Sequence, residues 1–273
     1  MPTLTVEQRD RIREVIKEIL SSRIENFPVE TDLVRNAPFH ERILNAFSHK
    51  FNSLKIPIPY LVAIASWMHG LNTSLGTGFE SLAHILSGGY KKKFTDSFCP
   101  KVFVIQAAQI DQILRELKAG TRKPNVAQED ELIFKVSGKE DLTDCLGFTV
   151  DNFLDKEDTI DAIELKSVRP NSGEGRGEKQ KILFAKAALS RLYPNKKIRY
   201  FIGFPFDPTS TAPTTYDKTR FFDYLVEFKK FFAPEEILIA DELWEHLSGI
   251  KNVMQQILDE ISTVVSIFKK DFS

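Results

Sequence analysis

Between Thr5 and Ser22 apolar residues recur at helical spacing (Val6, Ile12, Val15, Ile16, Ile19, Leu20), and Thr5 supplies an N-cap, so an amphipathic helix is predicted there. Ile43, Leu44, Phe47 and Phe51 form a stripe that predicts a second helix over Pro38–Phe51, ended by the prolines of Ile56–Tyr60. Tyr60–His69 reads as a buried helix. Leu71–Gly78, rich in Gly, Ser, Thr and Asn, reads as a loop. A further helix is expected from Thr77 or Gly78 to Ser87, closed by Gly88 and Gly89, with Glu80 in its first turn. Tyr90–Phe94 (YKKKF) reads as a basic turn able to touch phosphates. Val102–Gln106 is expected as a strand running into a helix over Ala107–Lys118, Gly120–Glu131 as a loop, and Leu132–Val136 as a short strand.

The pattern then changes to period two. Asp144–Asp151 and Thr159–Val168 read as two strands, with the polar Asn152–Asp158 as the turn between them. The glycines and proline after Lys166 predict a loop up to a helix over Lys179–Leu192. Strands follow at Lys197–Phe206 and Glu236–Ala240, around a loop (Asp207–Asp217) and an aromatic helix (Arg220–Phe232). Helices at Asp241–Gly249 and Ile250–Lys270 close the chain; the last is suited either to a dimer face or to packing on its own domain. The sum is an α/β fold, a central mixed β-sheet flanked by helices. One domain over residues 1–273 is expected, with a helical N-terminal subregion to residue 70 and a core from residue 71.

Chemistry concentrates at Glu164-Leu165-Lys166. On a strand, residues two apart share a face, so Glu164 and Lys166 project together. A carboxylate is a hard ligand for Mg²⁺, and an ammonium beside it can hold a water or a developing charge on phosphate. One carboxylate is too few to fix the ion. Five upstream aspartates are within reach: Asp144, Asp151, Asp155, Asp158 and Asp161. Folding the hairpin about Asp155 brings Asp144 opposite the Glu164/Lys166 end and leaves Asp151 far down the strand. Asp144 is therefore the expected partner, with the Leu165 carbonyl able to complete the shell.

The formal net charge of −1 does not advertise nucleic acid, but its distribution does. From Glu164 to Arg199 ten Lys/Arg face three Glu, a local excess of seven positive charges beside the acid pair. Arg169, Asn171, Arg176 and Lys179 are expected to reach phosphates or base edges, with Gln180 and Lys181 in the same neighbourhood. Arginine pairs with guanine, and Glu174 or Glu178 could accept from cytosine. The glycines match neither a Walker A nor a dinucleotide-binding spacing, which excludes those functions. Cys99 and Cys145 are too few for a disulfide framework or a four-ligand zinc site. His40, His49 and His69 lack metal-site spacing. A charged start without a signal-type apolar region, and no apolar run of membrane-spanning length, point to a cytoplasmic protein away from membranes.

Asp144 followed by Glu164-Leu165-Lys166 resembles the PD-(D/E)XK nuclease pattern, with Thr143 where the pattern name has proline. With Ser74–Leu86, Ile163–Asn171 and Asp241–Gly249 added, the chain is similar to type II restriction endonucleases of the TdeIII family, over roughly residues 70–260. The resemblance implies Mg²⁺-dependent cleavage of double-stranded DNA at a G·C-rich palindrome, GGNCC in that family, leaving 5′-phosphates. Asp144 and Glu164 would bind metal and Lys166 would orient or help deprotonate the attacking water. Glu80 could add an acid near the metal, or be a carboxylate favoured by a helix N-terminus. A palindrome would be read by a twofold homodimer. The rival readings are a repair or structure-specific nuclease of the same fold, and a non-catalytic DNA-binding module.

Overall fold

The computed structural model describes residues 2–28, 37–52, 56–95, 100–135, 141–166 and 174–271. Helix α1 (Val6–Ile24) is capped as its sequence dictates: the Thr5 side chain accepts from the Gln8 amide, and Gln8 returns a bond to the Thr5 backbone. Helices α2 (Pro38–Asn45) and α3 (Ser48–Asn52) replace the single helix expected there.

Helix α4 (Ile58–Ser87) runs unbroken for 30 residues. It passes straight through the expected Leu71–Gly78 loop and the subregion boundary at residue 70. Its hydroxyls cause no break because each bonds back to its own helix: Thr73 to the His69 carbonyl, Ser74 to Gly70, Thr77 to Thr73 and Ser81 to Thr77. Tertiary packing against α1 outweighs local propensity. Glu80 therefore sits deep in a helix rather than in a first turn, and the dipole reading of its role is corrected. Gly88 ends α4 in the left-handed conformation.

The strand–helix order continues as β1 (Tyr90–Phe94), β2 (Lys101–Phe103), α5 (Val104–Ala119), α6 (Val126–Phe134), β3 (Leu142–Asp144), β4 (Phe148–Asp155) and β5 (Thr159–Leu165). YKKKF is thus an edge strand, not a turn, and the segment expected as a loop and short strand before the hairpin is largely helix α6. There follow α7 (Glu174–Leu192), β6 (Lys197–Phe204), α8 (Lys218–Tyr224), α9 (Val226–Phe231), β7 (Ile237–Ile239), α10 (Asp241–Ser248) and α11 (Val253–Asp271).

The main sheet has the order β1-β4-β5-β6-β7. Its first pairings are antiparallel, β1 with β4 and β4 with β5, while β5–β6 and β6–β7 are parallel. This is the mixed sheet flanked by helices that the pattern predicts. Helix α7 covers one face, backed by α5, α6 and α9; α4 and α10 lie over the other, with α1 and α11 outside them. Strands β2 and β3 form a separate ribbon.

Helix α11 packs on its own chain. Val253, Ile257 and Val264 are buried, and Glu260 takes Arg9 and Arg13 of α1 at 2.5 and 2.6 Å. On α7 the fully buried Lys179 is held by Glu129 and Glu236, each at 2.6 Å, which ties α6 and the approach to β7 together. Among the described residues no helix is long and apolar enough to cross a membrane.

Candidate active site

The hairpin is tighter than its polar turn suggested. Lys156 N donates to the Thr159 carbonyl, so the reversal occupies only Lys156–Asp158 and β4 runs on to Asp155. The register Asp155↔Ile160 through Asn152↔Ile163 then brings Asp151, one step on, opposite Glu164. Opposed residues share a sheet face with their Cβ atoms about 5 Å apart. Asp151 Oδ2 accepts from the Leu165 amide at 3.1 Å, which fixes the aspartate beside the Glu164–Leu165–Lys166 turn-off.

Asp144 does not meet this group. It lies at the end of β3, paired with Lys101 of β2, with a largely exposed side chain whose ion pair to Lys101 spans 3.5 Å. The expected partnership of Asp144 with Glu164 is corrected: the longer turn assumed for the hairpin displaced the register, and Asp151 holds the place assigned to Asp144.

Around Glu164 the charges interlock. Glu164 Oε1 receives Lys181 at 2.6 Å and Lys166 at 3.1 Å. Lys166 also reaches Glu178 at 2.8 Å, and Lys181 reaches Glu178 at 3.3 Å. On the other side Lys91 bridges Glu80 at 2.7 Å and Asp151 at 3.3 Å. His84, one turn beyond Glu80, donates from Nε2 to the Asp151 carbonyl at 2.7 Å. Four carboxylates and three lysines thus meet at the carboxyl end of β5, where open parallel sheets characteristically bind ligands.

Electrostatics mark Glu164 as the group under tension. Burial pushes its carboxyl above the usual range; Lys181 opposes this and the charge of Asp151 adds to it. Lys166 loses some basicity to burial, but Glu164 and Glu178 outweigh that and hold it protonated above the usual lysine value. Tyr200, on β6 opposite Ala162, is raised by burial and then by the charges of Glu164, Asp151 and Glu178. Among the described residues Glu164 Oε2 and the Tyr200 hydroxyl are buried without a hydrogen-bond partner. An acceptor oxygen left bare in so charged a setting is suited to a cation.

No three His, Cys, Asp or Glu side chains among the described residues form a ready metal cage. The site offers two neighbouring carboxylates, Asp151 and Glu164, and the Leu165 main chain. That donor set fits Mg²⁺, which keeps several of its own waters and needs only one or two carboxylates.

The remaining expected residues divide. Glu164, Lys166, Lys181 and Glu80 converge on the site. Arg176 is exposed and Gln180 half-buried on α7. Lys179 is corrected from a DNA contact to a buried strut, because α7 begins at Glu174 and turns that position inward. Arg169 and Asn171 lie outside the described residues. Glu178, expected to accept from cytosine, instead pairs with Lys166 and Lys181. Asp151, Lys91 and Tyr200 were not placed at the site; a three-residue turn at Lys156–Asp158, in place of one starting at Asn152, would have found the first.

Two comparisons with known proteins bear on this geometry. The family model described as type II restriction endonuclease, HinfI, matches residues 4–265. The type II restriction enzyme MjaII of Methanocaldococcus jannaschii is 44% identical over 260 residues, which span 93% of this chain and 68% of that protein.

Proposed function

The chain belongs to the HinfI family of type II restriction endonucleases, and from that premise we propose a Mg²⁺-dependent cytoplasmic enzyme that hydrolyses phosphodiesters of double-stranded DNA through Asp151, Glu164 and Lys166. The observation that carries this reading is the bare Oε2 of Glu164 beside Asp151 and Lys166.

Asp151, Glu164 and the Leu165 carbonyl would hold the ion. Bound there, Mg²⁺ would polarise the phosphate and acidify a water. The protein's own contribution is orientation and charge. Lys166, kept protonated between Glu164 and Glu178, acts as a donor that positions the attacking water and offsets charge developing on the phosphate. Lys181 holds Glu164 in place from α7, and Lys91 holds Glu80 against Asp151. The burial of Glu164, with Lys166 only partly exposed, keeps the attraction between them strong.

The target in this reading is a short G·C-rich palindrome of the GGNCC kind, which is what the resemblance read from Ser74–Leu86, Ile163–Asn171 and Asp241–Gly249 implies. A homodimer follows from the twofold symmetry of such a site. Digestion of a sequenced plasmid with Mg²⁺ and mapping of the ends tests this. Discrete fragments sharing one palindrome, and their loss in Lys166→Ala, are expected. A smear, junction-only cutting, or normal cleavage by Lys166→Ala would overturn it.

A further inference from the structure

Helix α4 carries three glycines in its interior, and they do not have the same reason to be there. A Cβ on Gly70 would stand 2.3 Å from Arg23 Nη1, and one on Gly78 would stand 2.7 Å from Ile19 Cδ1. Both contacts are with α1, so those two glycines let the helices close on each other. Gly76 is turned about 200° away from Gly78 at 100° per residue. Beyond its own turn of helix and its two chain neighbours, no described atom lies within 4 Å of where its Cβ would be. Glycine is the poorest helix former after proline, so a glycine that relieves no contact weakens a long helix without return.

The open side of Gly76 is not bare surface. It lines a groove with the polar His69, Asn72, Thr73 and Glu80 and the apolar Leu75 and Phe79 of α4, which faces Leu165, Lys166, Pro205 and Phe206. The spacing 69, 72, 73, 76, 80 is a single helical face. That face looks across the groove at the lysine of the reacting centre, and Asn72 and Thr73 are exposed on it. A groove running into Lys166 between a helix and the carboxyl ends of β5 and β6 has the form of a track for the strand being cut.

We propose that Gly76 is a close-approach point at which the sugar–phosphate backbone of the bound duplex passes against α4, with the polar side chains of Asn72 and Thr73 flanking it. The missing side chain is what lets the backbone lie near enough to bring its phosphate to Lys166. The proposal rests on the assignment of Lys166 to the reacting centre.

The test is steady-state cleavage and thermal melting of Gly76→Ala and Gly76→Leu in the full chain. Gly76→Ala is expected to melt at or above the wild-type temperature, because the helix is strengthened and nothing is crowded. Gly76→Leu should lower kcat/KM for DNA cleavage by about tenfold or more, with Gly76→Ala in between. A wild-type kcat/KM in Gly76→Leu would overturn the proposal. So would a fall in the melting temperature of Gly76→Ala, which would place the glycine in packing. Lys166→Ala separates this from failure of the reading beneath it, since that variant should lose cleavage while binding DNA with the wild-type Kd, whereas cleavage retained by Lys166→Ala would mean that the reading itself had failed.

Discussion

Strand β5 carries two buried acids three residues apart, on opposite faces, and they have opposite fates. Asp161 is fully served: Arg199 donates to both its oxygens at 2.5 and 2.6 Å and Lys156 adds a bond at 2.9 Å. Burial alone would raise its carboxyl, but His246, Arg199 and Lys156 pull it well below the usual range. Glu164 takes two lysines on one oxygen, leaves the other bare, and is raised. Two buried carboxylates on one strand thus separate into a structural strut and a group kept unsatisfied. The difference between them lies in their partners rather than in their depth, since both are almost wholly buried. Strain of that kind persists where function requires it.

Neutralising each acid in turn should separate the two roles. Glu164→Gln should cut kcat by roughly 10²–10⁴-fold, the range for losing a group that acts at the reacting atoms. Its melting temperature should hold or rise, because a buried charge is removed. Asp161→Asn should do the reverse, costing about 2 kcal/mol of stability by stripping charged hydrogen bonds from a buried site while leaving kcat near normal. Calorimetry and initial rates on the same samples read both. Equal effects of the two changes on either readout would erase the distinction.

A smaller effect concerns acid. The folded carboxyl of Asp161 lies below its unfolded value of about 3.9, so its contribution is fully present above that pH and is lost as pH falls toward the folded value. Denaturant midpoints of wild type should therefore decline below about pH 4 more steeply than those of Asp161→Asn. Parallel curves would count against the strut.

The smallest effect is expected at Asp144. Its exposed pair with Lys101 is worth at most about 1 kcal/mol, so Asp144→Ala should change neither stability nor cleavage appreciably. A large loss of cleavage would mean that the acid partner of Glu164 had been misplaced.

Where sequence reading succeeded and failed follows the same physics. The Thr5 N-cap, β5 with its Glu-x-Lys end, and the strands expected at Lys197–Phe206 and Glu236–Ala240, found as β6 and β7, were legible because local pattern and tertiary environment agree there. Helix α4 was not, since the glycines and hydroxyls of Leu71–Gly78 read as a loop until Thr73, Ser74 and Thr77 are seen bonded back to their own helix and α1 packed on Gly78. Lys179 looked like a phosphate contact because a lysine's burial depends on Glu129 and Glu236, 50 and 57 residues away. The acid partner was lost to a turn taken as seven residues rather than three. A strand's register moves with its turn, so one wrong boundary exchanged Asp151 for Asp144.

The most direct test compares Asp151→Asn with wild type in a Mg²⁺ digest of a sequenced plasmid. Discrete fragments are expected from wild type and none from the variant, with the fold of both intact by circular dichroism. Fragments produced by Asp151→Asn at the wild-type rate would contradict that expectation.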